Sequence, residues 1–270
     1  MQNLIKIKKN NESVGDILRF WRKLKRISQM DLALDVGISS KHLSFVETGR
    51  SQASRDLILR IAQELKIPFR HRNAFLTAAG YASEYGEEPF DGEKMEMVRQ
   101  ALERMLDKHE PYPAFVVNTG YKILMANASM LNIIKFFAGE DAMLKYDNAY
   151  RVIFAEDGLR PYVKDWQKVE HFMLARLLEE AVSTQHPELL ALYKEISKLR
   201  TNEEAIDFQI NDNLPIMSLT LEKNSTKINL FTTITTLGTP LDLTTQELRI
   251  ELFFPADDET KQVFPFKNKS

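Results

Sequence analysis

The sequence contains no cysteine among its 270 residues. Disulfides, thiolate metal sites, iron–sulfur clusters and cysteine nucleophiles are therefore excluded. Hydrophobic runs are short, and none approaches the roughly 20 residues that span a bilayer. The first residues, MQNLIKIKKNNES, also lack the apolar stretch and cleavage site of a signal peptide. These absences predict a soluble, cytosolic protein without a membrane partner.

Residues and motifs that would make an enzyme are scarce. No G-x-S-x-G elbow, P-loop or G-x-G-x-x-G motif is found. Glu179 and Glu180 are adjacent on a predicted helix, face different directions and are interpreted as solvated. The sequence predicts no catalytic residue, no metal site and no cofactor. The five histidines form no H-x-x-x-H or HExxH pair; they are His42, His71, His109, His171 and His186.

The charge is small overall but unevenly distributed. The chain holds 36 Lys/Arg and 38 Asp/Glu, a net charge of -2. Residues 1–72 hold 15 basic and 7 acidic residues, whereas residues 73–270 hold 21 and 31. A basic module on an acidic body is typical of a polyanion-binding domain fused to a second domain. A solvated basic helix without a partner would give the same balance, so charge alone leaves both interpretations open.

The first 80 residues show helical periodicity in five short segments. Apolar residues recur at helical spacing in the first segment, residues 14–24, with basic residues between them. Ser28 is a good N-cap for a second helix at residues 29–36, and Ser39 or Ser40 for a third that ends near residue 48. Helices at about residues 55–65 and 70–79 complete the set.

The second and third helices are joined by a tight turn at Gly37, where glycine supplies a positive φ. Small Ala33 lies where two helices would cross, and Leu43 and Val46 follow as core positions. This spacing predicts a helix-turn-helix whose second helix presents short polar side chains. A generic helical hairpin shares part of the pattern, but the basic flanks favour the DNA-binding form.

From residue 95 the pattern becomes a mixture of helices and strands. An amphipathic helix at 95–106 precedes short β-rich runs at 114–117 and 122–125. Asn127 caps a helix that ends near residue 139, and helices follow at 162–185 and 187–199. Alternating strands are predicted at 216–221, 228–235 and 248–254, before a helix opened by residues 257–259. The pattern predicts an α+β domain with an antiparallel sheet of about five strands.

Two known families share these patterns. Residues 15–80, above all SQMDLALDVGISSKHLSFVETGR, closely resemble the lambda-repressor-like (XRE) helix-turn-helix family. EPYPAFVVNTGYKILMANAS, GLRPYVKDW and ITTLGTPLDLTTQELRIELFFPADDET resemble the MmyB-type regulators, in which that module is joined to a PAS-like ligand-binding domain. The resemblance implies an all-α, five-helix, lambda-repressor-like domain at 1–80 and an α+β PAS-like domain at 95–270. The polar, Glu- and Gly-rich segment 81–94 is interpreted as the linker.

The third helix would enter the major groove with its outward side chains over the base edges. The resemblance implies a phosphate contact for Gln29 and an internal ion pair between Arg22 and Glu47. Phe45 departs from the polar residue usual at its position, so contact with a thymine methyl and partial burial are equal alternatives. The predicted DNA-binding residues are Gln29, Ser40, Lys41, His42, Ser44, Phe45, Arg50 and Arg55. Since one such domain contacts half an operator, the expected partner is an inverted-repeat DNA bound by a homodimer.

An apolar interior with few polar groups is the composition of a small-molecule pocket. The resemblance implies a PAS-like cavity and a fatty acid as the ligand class. Apolar residues of this kind belong to an ordinary hydrophobic core more often than to the wall of a ligand pocket. Arg249 alternates with apolar neighbours on its strand, so exposure to solvent is an alternative for it. The predicted ligand-binding residues are Phe115, Arg160, Tyr162, Phe172, Phe231, Thr233, Thr235 and Arg249. Val117, Leu177, Ile234 and Phe253 are further candidates for the wall.

Three hypotheses follow from these patterns. The first is a sequence-specific, DNA-binding transcription regulator whose C-terminal domain senses a small apolar ligand. The second is a constitutive DNA-binding protein whose C-terminal domain serves only dimerisation or partner recruitment. The third, an enzyme controlled by its helix-turn-helix, has no supporting motif.

Overall fold

A computed structural model describes residues 13–201 and 218–265 of the chain. The chain forms two compact units. The first contains the described residues up to Glu88 together with the segment Pro240–Gln246, and the second contains Pro89–Thr239 and the described residues from Glu247 onward. Within the described ranges, no helix combines the length and apolar character that a membrane crossing requires.

Five helices come first in the chain, as the sequence predicts. Serine caps fix where four of them begin, because each serine hydroxyl accepts a hydrogen bond from a backbone N–H in the first turn. Their bounds are α1 (Val14–Leu24), α2 (Gln29–Asp35), α3 (Ser40–Glu47), α4 (Arg55–Glu64) and α5 (Phe69–Ala78).

The core of the first unit depends on close helix packing. Leu18, Leu43 and Ile58 have no exposed surface. Helix α1 passes the end of α3 so closely that a Cβ added at Gly15 would overlap the backbone carbonyl of Glu47. Glycine is therefore required at this contact.

The segment Pro240–Gln246, which connects two strands of the second unit, belongs to the first unit. The Leu243 N–H donates to the Gly86 carbonyl at 2.9 Å, and the Leu243 side chain is buried. The Gln246 Oε1 accepts the Phe69 N–H at 3.0 Å. Since no N-cap side chain satisfies the first turn of α5, Gln246 supplies an acceptor from far along the chain.

The second unit combines helices with one sheet. Asn127 caps α7 through its side chain, as predicted, and Asp257 caps α13 in the same way. Its helices are α6 (Glu96–His109), α7 (Ala128–Ala138), α8 (Ala142–Lys145), α9 (Ala149–Phe154), α10 (Trp166–Thr184), α11 (Pro187–Ile196) and α13 (Asp258–Val263), whereas α12 (Leu243–Glu247) belongs to the first unit except for its last residue.

Over the described ranges, the sheet has five antiparallel strands in the order β2-β1-β5-β4-β3. The predicted α+β domain with about five strands is therefore confirmed. Strand pairing places Phe115 beside Glu251 and Thr232 beside Phe253. The strands are β1 (Ala114–Val117), β2 (Ile123–Ala126), β3 (Ser218–Lys223), β4 (Thr226–Thr235) and β5 (Arg249–Pro255).

Two predicted helices are shorter in the structure. Helix α10 begins at Trp166 instead of residue 162, because Val163 forms a β-bridge with Leu221 and the Lys164 N–H donates to the Thr220 carbonyl at 3.0 Å. Helix α11 ends at Ile196 and continues as a short 3-10 helix. Residues 216–217 of the predicted strand 216–221 lie outside the described residues.

Candidate functional site

Helix α3 has one face in the core of the first unit and one face in solvent. Leu43 and Val46 are buried against the core. Gly37 has a φ of +70° in the turn before the helix, and Ser39 caps the helix by accepting the His42 N–H. The two helices α2 and α3 therefore form the predicted helix-turn-helix, with the outer face of α3 available to a groove.

Three predicted DNA-binding residues lie together at the outer face of α3. Phe45 is half-buried, so part of its side chain remains accessible to solvent. The Lys41 Nζ lies 5.7 Å from the Phe45 ring centroid and the Arg50 guanidinium lies 6.0 Å from it. Both cations are exposed. This places an apolar ring between two phosphate-seeking charges.

The remaining predicted DNA-binding residues occupy different settings. Ser40 is exposed, and His42 and Ser44 are half-buried on α3. Arg55, at the start of α4, forms an ion pair with Glu84. A phosphate contact by Arg55 would therefore have to compete with that carboxylate.

A buried carboxylate ties the three helices of this region together. Glu47 is 4% exposed and accepts hydrogen bonds from Arg22 Nε at 2.6 Å and from Gln29 Nε2 at 2.6 Å. Burial alone would raise the pKa of Glu47, but the hydrogen bonds from Arg22 and Gln29, with the charges of Arg22 and Arg19, hold it below its ordinary value. Arg22 and Glu47 thus form the predicted internal pair. Gln29, predicted to contact phosphate, has its amide engaged by Glu47.

The second unit contains an apolar cavity of about 150 Å³. Helices α7, α9 and α10 and all five strands contribute to its wall, together with connecting residues such as Tyr121. Met130 and Met173 are both in the wall, and methionine adapts its shape readily to a guest. The composition is that of a small-molecule site.

A few polar side chains interrupt this apolar wall. Arg176 and Glu251 both line the cavity, with 3.8 Å between Arg176 Nη2 and Glu251 Oε1. Tyr121 also lines the cavity, and its hydroxyl accepts a hydrogen bond from Arg176 Nη2 at 3.4 Å and donates to Glu180 Oε2 at 2.8 Å. Arg249 pairs with Glu180 and places its guanidinium 5.7 Å from the Tyr121 ring centroid.

Burial shifts Glu251 and Tyr121 of this polar cluster toward their neutral forms. It raises the pKa of Glu251, although the charges of Arg176 and Arg249 act in the opposite direction. It also raises the pKa of Tyr121, against the opposing charge of Arg176. The Tyr121 phenol therefore stays protonated and acts as a hydrogen-bond donor at neutral pH.

Comparison with known proteins agrees with both geometries. The family model described as "MmyB-like transcription regulator ligand binding domain" matches residues 98–264, which is more than half of the chain. The chain belongs to this MmyB-like family. A second model, described as "Helix-turn-helix", matches residues 18–71, whereas a comparison with curated proteins finds no match.

These matches confirm the predicted architecture of an XRE-type helix-turn-helix joined to an MmyB-like ligand-binding domain. The chain is a DNA-binding transcription regulator with a ligand-sensing domain. Within residues 13–201 and 218–265, no cluster of three or more His, Asp or Glu side chains could hold a metal ion.

The cavity of this MmyB-like domain includes some of the predicted ligand-binding residues and excludes others. Phe115 and Phe172 line it, as does Phe253. Arg249 does not line the cavity but packs on Tyr121, which does. The other predicted residues do not line this cavity: Arg160, Tyr162, Phe231, Thr233 and Thr235, together with Val117, Leu177 and Ile234.

Strand alternation explains the placement of residues on β4. Leu230 and Thr232 line the cavity, so the odd-numbered side chains between and beyond them point to the opposite face of the sheet. Phe231 accordingly stacks on Phe254, with 5.4 Å between ring centroids, and Thr233 and Thr235 are exposed.

Arg160 and Tyr162 lie in other local environments. Arg160 packs its guanidinium 5.5 Å from the Trp166 ring centroid and lines a separate surface depression. The Tyr162 ring lies beside Phe137, and its face meets the Lys223 amine at 4.8 Å from the centroid.

Sequence reasoning missed Arg176, Tyr121 and Glu251 in the cavity wall. A signal for Arg176 existed, because Val169, Phe172 and Arg176 share the stripe of α10 that faces the cavity. The interpretation of Glu180 as solvated is wrong: its carboxylate accepts from Tyr121 and pairs with Arg249, and only 18% of its side chain is exposed.

Proposed function

We propose that the chain acts in the cytosol as a homodimer that binds an inverted-repeat operator through α3 and senses a fatty acid in the cavity of its second unit. One observation carries the sensing function. In a matched ligand-binding domain, the described wall of an apolar cavity contains one arginine, and the hydroxyl of Tyr121 hydrogen-bonds to it. This is the chemistry that holds a carboxylate head at the end of an apolar chain.

The exposed face of α3 supports the DNA-binding function. Its acidic residue, Glu47, is buried and paired, so the exposed part of the helix presents no carboxylate to the phosphates. Lys41 and Arg50 supply cations on the same surface as the Phe45 ring. Lys41 can donate to guanine O6 and N7 while the ring meets a neighbouring thymine methyl.

Footprinting and mobility-shift assays on the promoter region of this gene test the DNA-binding proposal. Two protected half-sites with centres roughly 34 Å apart are expected. Lys41→Ala should weaken operator binding about 10- to 100-fold, whereas exposed Lys23→Ala on α1 should change it less than about threefold. Protection of one asymmetric half-site, or equal effects of the two variants, contradicts the proposal.

Native mass spectrometry of the chain purified without added ligand tests the sensing proposal. A bound mass that delipidation removes, and that octanoate restores, is the expected result. Arg176→Met should abolish octanoate binding by removing the cationic partner of the head group. Arg160→Met is the matched control, because Arg160 is partly buried but lies outside the cavity wall. Equal octanoate binding by the two variants refutes the assignment of Arg176.

Sensing requires that ligand and operator influence each other. If octanoate changes operator affinity by some factor, operator DNA must change octanoate affinity by the same factor. Fluorescence anisotropy with labelled operator, with and without octanoate, measures the first factor. If octanoate binds but operator affinity stays constant, the second unit serves dimerisation or partner recruitment instead.

A further inference from the structure

The polar side of the cavity holds equal numbers of positive and negative groups. Arg176 and Glu251 face the cavity directly. Arg249 and Glu180 form an ion pair that adjoins them through Tyr121. The two arginines and two carboxylates therefore balance before any ligand enters.

Among the residues that the structure describes, the other groups around Glu251 supply no further charge. On the neighbouring strands its register partners are Phe115 and Ile234, which do not titrate. The Tyr121 and Tyr150 phenols are also in the wall, and burial raises the pKa of each, so both stay neutral. Met130, Ile133 and Ile134 of α7 add apolar surface to the wall of the same cavity.

A ligand carboxylate that reaches Arg176 upsets this balance. It adds one negative charge to a site that excludes most water, and it meets the Glu251 carboxylate, which can only accept hydrogen bonds. Two carboxylates that share such a site do not both stay ionised. A proton on Glu251 removes both problems, because the carboxyl group then donates a hydrogen bond to the ligand.

We propose that the cavity binds a carboxylic acid ligand together with one proton, which Glu251 carries in the complex. The proton comes from solvent, and Arg176 holds the ligand carboxylate. The inference rests on the proposed fatty-acid function and adds that acidity favours ligand binding. Burial already raises the pKa of Glu251 in the empty cavity, which eases this protonation.

The predicted pH dependence has a defined sign. Glu251 has a higher pKa in the complex than in the empty cavity, so affinity falls as pH rises between those two values, by up to about tenfold per pH unit. Octanoate itself stays ionised from pH 6.5 to pH 8.5, because an ordinary carboxyl pKa is about 4. A change of affinity over that range is therefore a property of the protein.

Isothermal titration calorimetry of the full chain with octanoate tests the proposal. Titrations in two buffers of different ionisation enthalpy measure the number of protons taken up, without any variant. Uptake of close to one proton, with an affinity that falls as pH rises, is expected in the window where Glu251 titrates. Binding without proton uptake at every pH from 6.5 to 8.5 overturns the proposal.

Two controls separate this inference from the proposed function. Glu251→Gln should bind octanoate without proton uptake and with little pH dependence, whereas exposed Glu179→Gln on α10 should behave as the unmodified chain. If Glu251→Gln takes up a proton like the unmodified chain, another group is responsible and the assignment is wrong. Octanol, which does not ionise, should bind without proton uptake. Failure of both octanoate and octanol to bind the unmodified chain refutes the fatty-acid function itself.

Discussion

Replacing Glu47 by glutamine should destabilise the first unit by about 3 kcal/mol. The Glu47 carboxylate accepts two hydrogen bonds from Arg22 and one from Gln29, at 2.6–3.3 Å, and is 4% exposed. Glutamine keeps one acceptor oxygen but faces these donors with an NH2 group. Hydrogen bonds to charged groups contribute about 1.5–3 kcal/mol each, and breaking a buried ion pair costs about 3–5 kcal/mol. We expect the lower end of the range for a broken ion pair, about 3 kcal/mol, because Arg22 keeps its hydrogen bond to the Ile27 carbonyl at 2.9 Å.

Urea unfolding monitored by tryptophan fluorescence measures this loss. The chain has two tryptophans, so Trp166→Phe leaves buried Trp21 as a reporter within the first unit. In that background Glu47→Gln should lower the free energy of unfolding by about 3 kcal/mol. Exposed Glu64→Gln on α4 is the control and should change it by less than about 0.5 kcal/mol. A loss below 1 kcal/mol for Glu47→Gln would refute this account of the network.

The loss should also depend on pH with a defined sign. Because the pKa of Glu47 in the folded chain is below its ordinary value of 4.5, its stabilising contribution is complete above that value. The contribution declines as pH falls from 4.5 through the folded pKa, since the protonated acid resembles glutamine. The difference between Glu47→Gln and the parent should therefore be constant from pH 7 to about pH 5.5 and smaller at pH 3.5. A difference that grows on acidification contradicts this reasoning.

Two further substitutions test packing and hydrogen bonding in the folded chain, each by urea unfolding. Gly15→Ala should lower the free energy of unfolding by about 2 kcal/mol, because the overlap of the new Cβ with the Glu47 carbonyl costs more than alanine gains in helix propensity. Gly238→Ala is the control and should leave that free energy nearly unchanged, because a Cβ there meets open space. Asn127→Ala should lower the free energy of unfolding by about 3 kcal/mol, because it leaves four backbone groups without their hydrogen bonds to this side chain. A loss below 1 kcal/mol would show that water replaces them.

Local patterns predicted the helix-turn-helix closely. Each helix start there depends on a serine and the next few residues, so the bounds of α2 and α3 agree with the sequence to within about a residue. The start of α10 was misplaced because a β-bridge between Val163 and Leu221 ends the irregular segment before it. No local pattern encodes a partner that lies more than fifty residues away.

Local sequence patterns also fail to predict which side chains line the cavity. On β4, alternation fixes that Thr233 and Thr235 share a face, but only the folded sheet decides which face meets the cavity. Glu180 looked solvated because a helix of mixed polarity does not reveal what packs against it. Its partners, Tyr121 and Arg249, come from a loop and a strand on either side of α10 in the sequence.

The contribution of Pro240–Gln246 to the first unit makes that unit discontinuous in sequence. A fragment cut after Glu88 would lack the Gln246 acceptor at the start of α5 and the Leu243 side chain buried in the same segment. A chimeric regulator in which everything downstream of α5 is exchanged would therefore lack these contacts at the start of α5 and around Gly86. Grafts designed for biosensors should transplant this seven-residue segment together with the helix-turn-helix unit.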